Sequence, residues 1–252
     1  MMRIAFVGAG PTSLYTLHAL LSHEFPPFAL TIYEAQASIG RGTPYRPGWN
    51  DPAMLANIAS IEMPPLVETL CDWLARQAPD RLAALGVDAS AVDERTFYPR
   101  VALGEYFHDQ FQALVGAARA RGIAVEVRTR CRVIDAAALA ETMMLTVRTQ
   151  AGRETNEHFD RVVLATGHQW PAAPEVHPGY FLSPWPASAL ATITPCEVGI
   201  RGSSLTAIDA CVALANLHGR FEEPEDGVAL YCPNPGTEAF HMTMMSRKGL
   251  LP

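Results

Sequence analysis

Two short glycine-containing turns carry most of the chemistry that can be read from this chain. The first is "VGAGPTS" at residues 7–13, where Gly8, Ala9, Gly10, Pro11, Thr12 and Ser13 follow an apolar strand and open a helical pattern. Backbone N–H groups at a strand-to-helix turn, reinforced by the helix N-terminus, suit a pyrophosphate. Gly8 permits the tight turn, and Gly10 lets the backbone approach a phosphate without a Cβ in the way. Ser13 stands where a third glycine is usual, a mild departure because that position sets how closely helix meets strand. Glu34 ends the next apolar strand, 24 residues past Gly10, where its carboxylate can accept hydrogen bonds from ribose hydroxyls. The plainer alternative is an ordinary βα turn beside a solvated strand-end acid.

An acid at that place disfavours a 2′-phosphate and leaves FAD or NAD. Two further stretches favour FAD. "IGRGTPY" at 39–45 is a second glycine-rich loop in which Arg41, Gly42 and Tyr45 can lie along a cofactor. "FDRVVLATGH" at 159–168 ends in Ala165, Thr166 and Gly167, small residues that let backbone pass near a bound group. NAD held directly at the first turn, as in a simple dehydrogenase, is a competing reading.

The second turn lies in "CEVGIRGSSLTAIDACVALANLH" at 196–218, again strand, Gly/Ser turn and helix. Gly202, Ser203 and Ser204 form it. Ser204 replaces an expected glycine, so its Cβ crowds a pyrophosphate while its hydroxyl can donate to one. A turn that packs and binds nothing fits the same residues. Arg247 and Lys248 can pair with a 2′-phosphate, favouring NADPH over NADH, or can be a solvated turn. The sequence names no catalytic residue; His168 is the leading acid/base candidate, and a structural histidine at a strand end is the alternative. Asn57 can hydrogen-bond flavin or substrate, or brace its loop. Asp209 reads as a helix-local hydrogen-bond partner, and Tyr98 and Arg100 as packing and pairing at a domain edge.

The elements that must position these residues follow from periodicity. Residues 3–7 predict a buried strand, 12–23 a helix capped by Thr12 or Ser13, and 29–34 a second strand, together a βαβ unit and so a parallel sheet. Residues 40–66 predict a long ordered loop. Helices are expected at 66–76 and 102–121, the latter with Phe107, Phe111 and Leu114 on one face. Alternation in "IAVEVRT" and "MLTVRTQ" predicts antiparallel strands, while "VVLAT" reads as buried on both sides. The proline-rich 170–195 stretch suits a connection between lobes. The division expected is a dinucleotide domain over 1–190 and a partial second one over 191–252, which stops before its sheet is finished and so predicts the front part of a longer protein.

Composition bounds the rest. The 252 residues are 49% apolar and 18% charged, which predicts a folded protein. A net charge of −7 argues against a nucleic-acid surface, and no apolar run has the 18 or so residues of a membrane span. Glycines and a proline interrupt the N-terminal apolar stretch, against a signal peptide. Five cysteines with no C-x-x-C and no zinc spacing predict free thiols in a reducing, cytoplasmic setting, no metal site and no dithiol chemistry.

"VGAGPTSLYTLHALL", "YE" with "GRGTPY", "MLANI", "FYPRVALGEYF", "VVLATGH" and "GSSLTAIDA" together resemble the FAD/NAD(P)-binding proteins related to flavoprotein monooxygenases, in the branch that includes a FAD-dependent urate hydroxylase. The resemblance spans essentially the whole chain. It implies a Rossmann-like, glutathione-reductase-like α/β fold, a parallel sheet with an antiparallel β-meander, and a partial second dinucleotide-binding lobe. It also implies FAD, NADPH or NADH as reductant, and hydroxylation of a small molecule. Carried onto this chain, Gly8, Gly10 and Ser13 face the FAD pyrophosphate and Glu34 its ribose. Arg41, Gly42 and Tyr45 lie along the cofactor, Ala165, Thr166 and Gly167 mark the crossing to the second lobe, and Gly202, Ser203 and Ser204 open the second turn. A non-catalytic FAD- or NAD-binding module is the reading from another class.

Overall fold

The computed structural model describes residues 1–168, 177–222, 227–247 and 249. Two units emerge: Met1–Tyr45, Ile61–Gln77 and Leu103–Trp170 form the first, and Arg46–Ser60, Ala78–Ala102 and Pro171–Pro252 the second. They interleave along the chain.

The first unit is built on β1 (Met2–Val7), α1 (Pro11–Leu21), β2 (Phe28–Glu34) and α2 (Leu70–Ala75). After α3 (Pro79–Ala84) of the second unit comes α4 (Arg100–Ala120), whose first three residues also belong there. Then follow β3 (Ala124–Thr129), β4 (Cys131–Ala138), β5 (Met143–Thr149), β6 (Glu154–Phe159) and β7 (Arg161–Leu164). Strands β3-β2-β1-β7 make a parallel sheet, and β4-β5-β6 an antiparallel meander. β1 and β2 read as unbroken apolar runs because both faces are covered. Ala5, Val7 and Tyr33 on one face pack against Leu145, Val147 and Phe159 of the meander. Strand alternation turns Phe6 and Ile32, both fully buried, to the other. Along α4, Phe107, Phe111, Leu114, Val115 and Ala118 are buried at helical spacing.

Three local expectations change. "IAVEVRT" is β3, parallel to β2 rather than antiparallel, and its alternation is that of an edge strand with one face open. "VVLAT" is not buried on both sides: β7 is also at a sheet edge, and Leu164 is 64% exposed. Neither Thr12 nor Ser13 caps α1. Gly10 is the N-cap and no side chain caps it.

Gly104, in α4, explains a helix glycine that propensity disfavours. A Cβ there would come 2.1 Å from the Tyr45 carbonyl oxygen. Gly104→Ala raises helix propensity by about 1 kcal/mol, yet it is expected to lower the melting temperature because the 45 backbone must move. Thermal unfolding checks this, and a raised Tm would show that the loop yields freely.

The second unit contains α3, α5 (Ala187–Leu190), β8 (Glu197–Arg201), α6 (Leu205–His218), β9 (Gly219–Glu222), β10 (Leu230–Pro233) and β11 (His241–Met245). β8 and β11 pair in parallel, and β9 and β10 form an antiparallel pair. Met54, from the long loop, joins Leu190, Ala213 and Leu214 in its core, with Trp185, Val198 and Met242 alongside. Among the described residues no helix is long and apolar enough to cross a membrane.

Candidate functional site

The first-unit site is assembled at the ends of β1, β2 and β7. Val7 of β1 accepts the Ala165 N–H at 2.9 Å, and Gly8 donates to the Tyr33 carbonyl at 2.9 Å. These two bonds set the Gly8 turn between the ends of its neighbouring strands. Gly8 has φ +98°, and a Cβ there would lie 2.3 Å from the Ala165 oxygen. Only glycine meets both demands. Ser13 is wholly buried, and its hydroxyl donates to the Gly8 carbonyl at 2.5 Å. It therefore ties the first turn of α1 to the strand end, which is what a close-packing third position is expected to do.

Glu34 is brought to the same turn from 25 residues away. One carboxylate oxygen accepts the Ala9 N–H at 3.0 Å and the other accepts the Gln36 N–H at 2.8 Å. Gly40 donates to the Ala9 carbonyl at 2.7 Å, so the second glycine loop is laid against the first. A Cβ on Gly10 would meet the Gly42 Cα at 3.2 Å, and one on Gly42 the Pro11 Cδ at 3.0 Å. Gly10 thus serves the approach of this loop as well as any approach of a ligand.

Arg41 does not reach out from the loop. It grips Glu105 of α4 with Nε and Nη2 at 2.8 and 2.9 Å and donates Nη1 to Ser38 at 2.8 Å. The Tyr45 ring stands edge-on to Phe107, centroids 5.2 Å apart. Thr166, Gly167 and His168 are exposed past the end of β7. Asn57 is exposed in the second unit.

Sequence reasoning missed Gly40, Glu105 and His108. Gly40 has φ +93°, and its Cβ would strike the His108 backbone at 2.5 Å. His108 Nδ1 lies 2.7 Å from the Ile39 carbonyl. The signal available was the first glycine of "GRG" followed by a long helix, and spacing alone cannot pair them. Tyr15 of α1 donates to the Pro64 carbonyl at 2.9 Å, and burial pushes its phenol up to about 12, so it stays neutral.

The turn can take a phosphate group. Pro11 supplies no N–H, no side chain caps α1, and no acidic residue sits in its first turn. The N–H groups of that turn are therefore left for an external acceptor. A carboxylate has about four acceptor sites, and Glu34 uses two of them, leaving capacity for hydroxyl donors.

In the second unit, Gly202 has φ +124° and donates to the Met245 carbonyl at 2.8 Å. Nothing lies within 4 Å of where its Cβ would be, so this turn is open rather than packed. Ser204 is the uncapped N-cap of α6, whose first turn carries no acid. A cavity of about 920 Å³ runs past Gly202, Ser204, Thr206 and Ala207, with Phe181 and Ile200 among its walls. Ser203 is half-buried and Arg247 exposed, while Lys248 lies outside the described residues.

Asp209 is not a helix-local partner. It accepts from Arg100 Nη2 at 2.6 Å across 109 residues, and both side chains are largely buried. Burial raises its carboxyl above the ordinary aspartate value, and Arg100 works against that rise. Arg100 also donates Nε to the Leu55 carbonyl at 3.0 Å, and its own N–H goes to Met54. Tyr98, buried, exchanges bonds with the Asp93 backbone.

The chain is 41% identical over all 252 residues to the uncharacterized protein YdhS of Escherichia coli (strain K12), of which it spans 46%. Its fold is similar to that of S-allyl-L-cysteine S-oxygenase from Allium sativum, with a TM-score of 0.55 and 18% identity over 95% of this chain and 55% of that one. It is also similar to bacillithiol disulfide reductase Bdr from Bacillus cereus, with a TM-score of 0.52 and 14% identity over 97% and 67%. The chain spans about half the length of the curated relative it matches. Residues 5–169 match the FAD-NAD(P)-binding family, and the chain belongs to it.

Proposed function

We propose that this chain is the flavin-bearing portion of an NAD(P)H-using monooxygenase that hydroxylates a small molecule, in the branch containing FAD-dependent urate hydroxylase. The observation that carries the reading is the junction of Gly8, Ala165, Ser13, Gly40 and Glu34 at one uncapped helix start. There the N–H groups of α1 would hold the FAD pyrophosphate and Glu34 the ribose. Glu34, anchored on Ala9, would orient that ribose against the turn. Gly42 and Tyr45 would line the same cofactor together with Thr166 and Gly167, and Arg41 would act through Glu105 by fixing the loop. Asn57 would contact flavin or substrate. Gly202, Ser203 and Ser204 would take the reduced nicotinamide dinucleotide, with Arg247 and Lys248 favouring NADPH.

Bound flavin would supply hydride acceptance and oxygen activation. The chain's own work is to bind, to orient and to exclude water, so no protein nucleophile is required. His168 is the candidate for moving a proton. We place the protein in the cytoplasm, with a small-molecule substrate and no nucleic-acid or membrane partner.

Purified chain is expected to show bands near about 370 and about 450 nm that bleach under anaerobic NADPH, and more slowly under NADH. Glu34→Gln keeps an acceptor oxygen but loses charge, and is expected to weaken FAD by about tenfold, the size of one charge-assisted hydrogen bond. A yellow protein that neither nicotinamide bleaches would support a binding module in place of an enzyme. A colourless protein that FAD cannot reconstitute would end the flavin reading.

A further inference from the structure

Arg46 stands apart from the other half-buried arginines. Arg41 meets Glu105, Arg100 meets Asp209, and Arg128 meets Glu157. Arg46 meets no acceptor among the described residues, and its Nε is closed off from solvent with no hydrogen-bond partner. Its guanidinium lies over the Trp49 ring, 4.8 Å from the centroid. The ring face takes one side of the guanidinium, and its N–H donors make no hydrogen bond to an acceptor among the described residues. The acid nearest in sequence, Asp51, has one carboxylate oxygen accepting the Ala53 N–H at 2.9 Å.

The backbone around Arg46 is held firmly, all within the second unit. Its carbonyl accepts the Trp49 N–H at 3.2 Å and the Asn50 N–H at 3.4 Å. Asn50, buried, accepts the Trp185 indole N–H at 3.2 Å, and Trp49 accepts the Ala187 N–H at 2.9 Å. The stacking partner and the turn are therefore fixed before any ligand arrives, which lowers the ordering cost of binding.

We propose that Arg46, stacked on Trp49, is a binding site for a carboxylate or phosphate group of a small anionic ligand. A planar guanidinium that meets no acceptor among the described residues can match two oxyanion oxygens at once, which a lysine ammonium cannot do. The site does not depend on a nucleotide at the Gly8 turn. Its two sources, a substrate carboxylate and a cofactor or metabolite phosphate, share this chemistry and are separated by the choice of probe.

The test is a ¹H–¹⁵N spectrum of the arginine Nε–H groups of the full chain, titrated with sodium phosphate and, separately, with sodium benzoate. Sodium chloride at matched ionic strength is the control. Arg46→Lys assigns the resonance by removing it while the backbone spectrum is kept, and Arg46→Gln does so if the lysine variant does not fold. The Arg46 signal is expected to shift saturably, with an apparent Kd on the order of 1 mM, and Trp49→Leu is expected to weaken it about fivefold. Tighter binding of phosphate or of benzoate identifies the source. Absence of saturable movement with both probes, or the same movement with chloride, overturns the proposal.

Discussion

Arg100→Met is expected to destabilise the protein by about 3–5 kcal/mol, because it leaves the Asp209 carboxylate buried without its cation. Arg100 and Asp209 side chains are 15% and 10% exposed, and the pair is 2.6 Å apart. Arg100 also holds the Leu55 carbonyl, so the variant releases the 54–57 segment as well. The double variant Arg100→Met/Asp209→Leu removes both charges, and it is expected to recover most of the loss. Urea unfolding of the parent, both single variants and the double variant measures the coupling. Equal losses in the single and double variants would show that the bond to Leu55, and not the ion pair, does the holding.

The pH dependence of Arg100→Met has a definite sign. Burial raises the folded-state pKa of Asp209, and Arg100 lowers it, so losing Arg100 raises it further. A carboxyl raised in the folded state favours folding fully below its unfolded value and loses that contribution as pH rises through the folded one. The deficit of Arg100→Met against the parent is therefore expected to be largest near neutral pH. It narrows as pH falls towards the ordinary aspartate value of 3.8. A deficit independent of pH would remove Asp209 from the account.

Local signals in the sequence carried the first unit well, and long-range partners were not among them. Apolar runs, Gly8, Gly10 and the acid at the end of β2 specify a βαβ unit because each depends on its near neighbours. The meander strand β5 showed its alternation for the same reason. Arg41 read as lying along the cofactor because it stands in a second glycine-rich loop, yet its partner Glu105 is 64 residues away. Asp209 read as local because its helix was visible and Arg100 was not, 109 residues away. Edge strands β3 and β7 misled for a related reason. Whether a strand has one neighbour or two depends on how the sheet is ordered, which residue pattern does not record.

Gly8→Ala is expected to abolish flavin retention and to lower stability together. At φ +98° an alanine is strained by about 1–3 kcal/mol. Its Cβ would also lie 2.3 Å from the Ala165 oxygen and 2.9 Å from the Ala165 carbon, so the end of β7 must move away from β1. That movement breaks the bond from Ala165 to Val7 and opens the junction on which Glu34 and Ser13 converge. Gly10→Ala separates folding from binding. Gly10 has φ −86°, open to any residue, and its Cβ would press on the Gly42 Cα at 3.2 Å. A small adjustment of the 40–42 loop accommodates it, so Tm is expected to fall by no more than about 2–4 °C. If a pyrophosphate passes close to Gly10, the same methyl group weakens FAD by at least about tenfold. The two variants are to be compared by thermal unfolding and by FAD titration of the apoprotein. Tight FAD binding by Gly10→Ala would place the phosphate elsewhere, because a Cβ at that position cannot share space with a group lying against the Gly10 backbone.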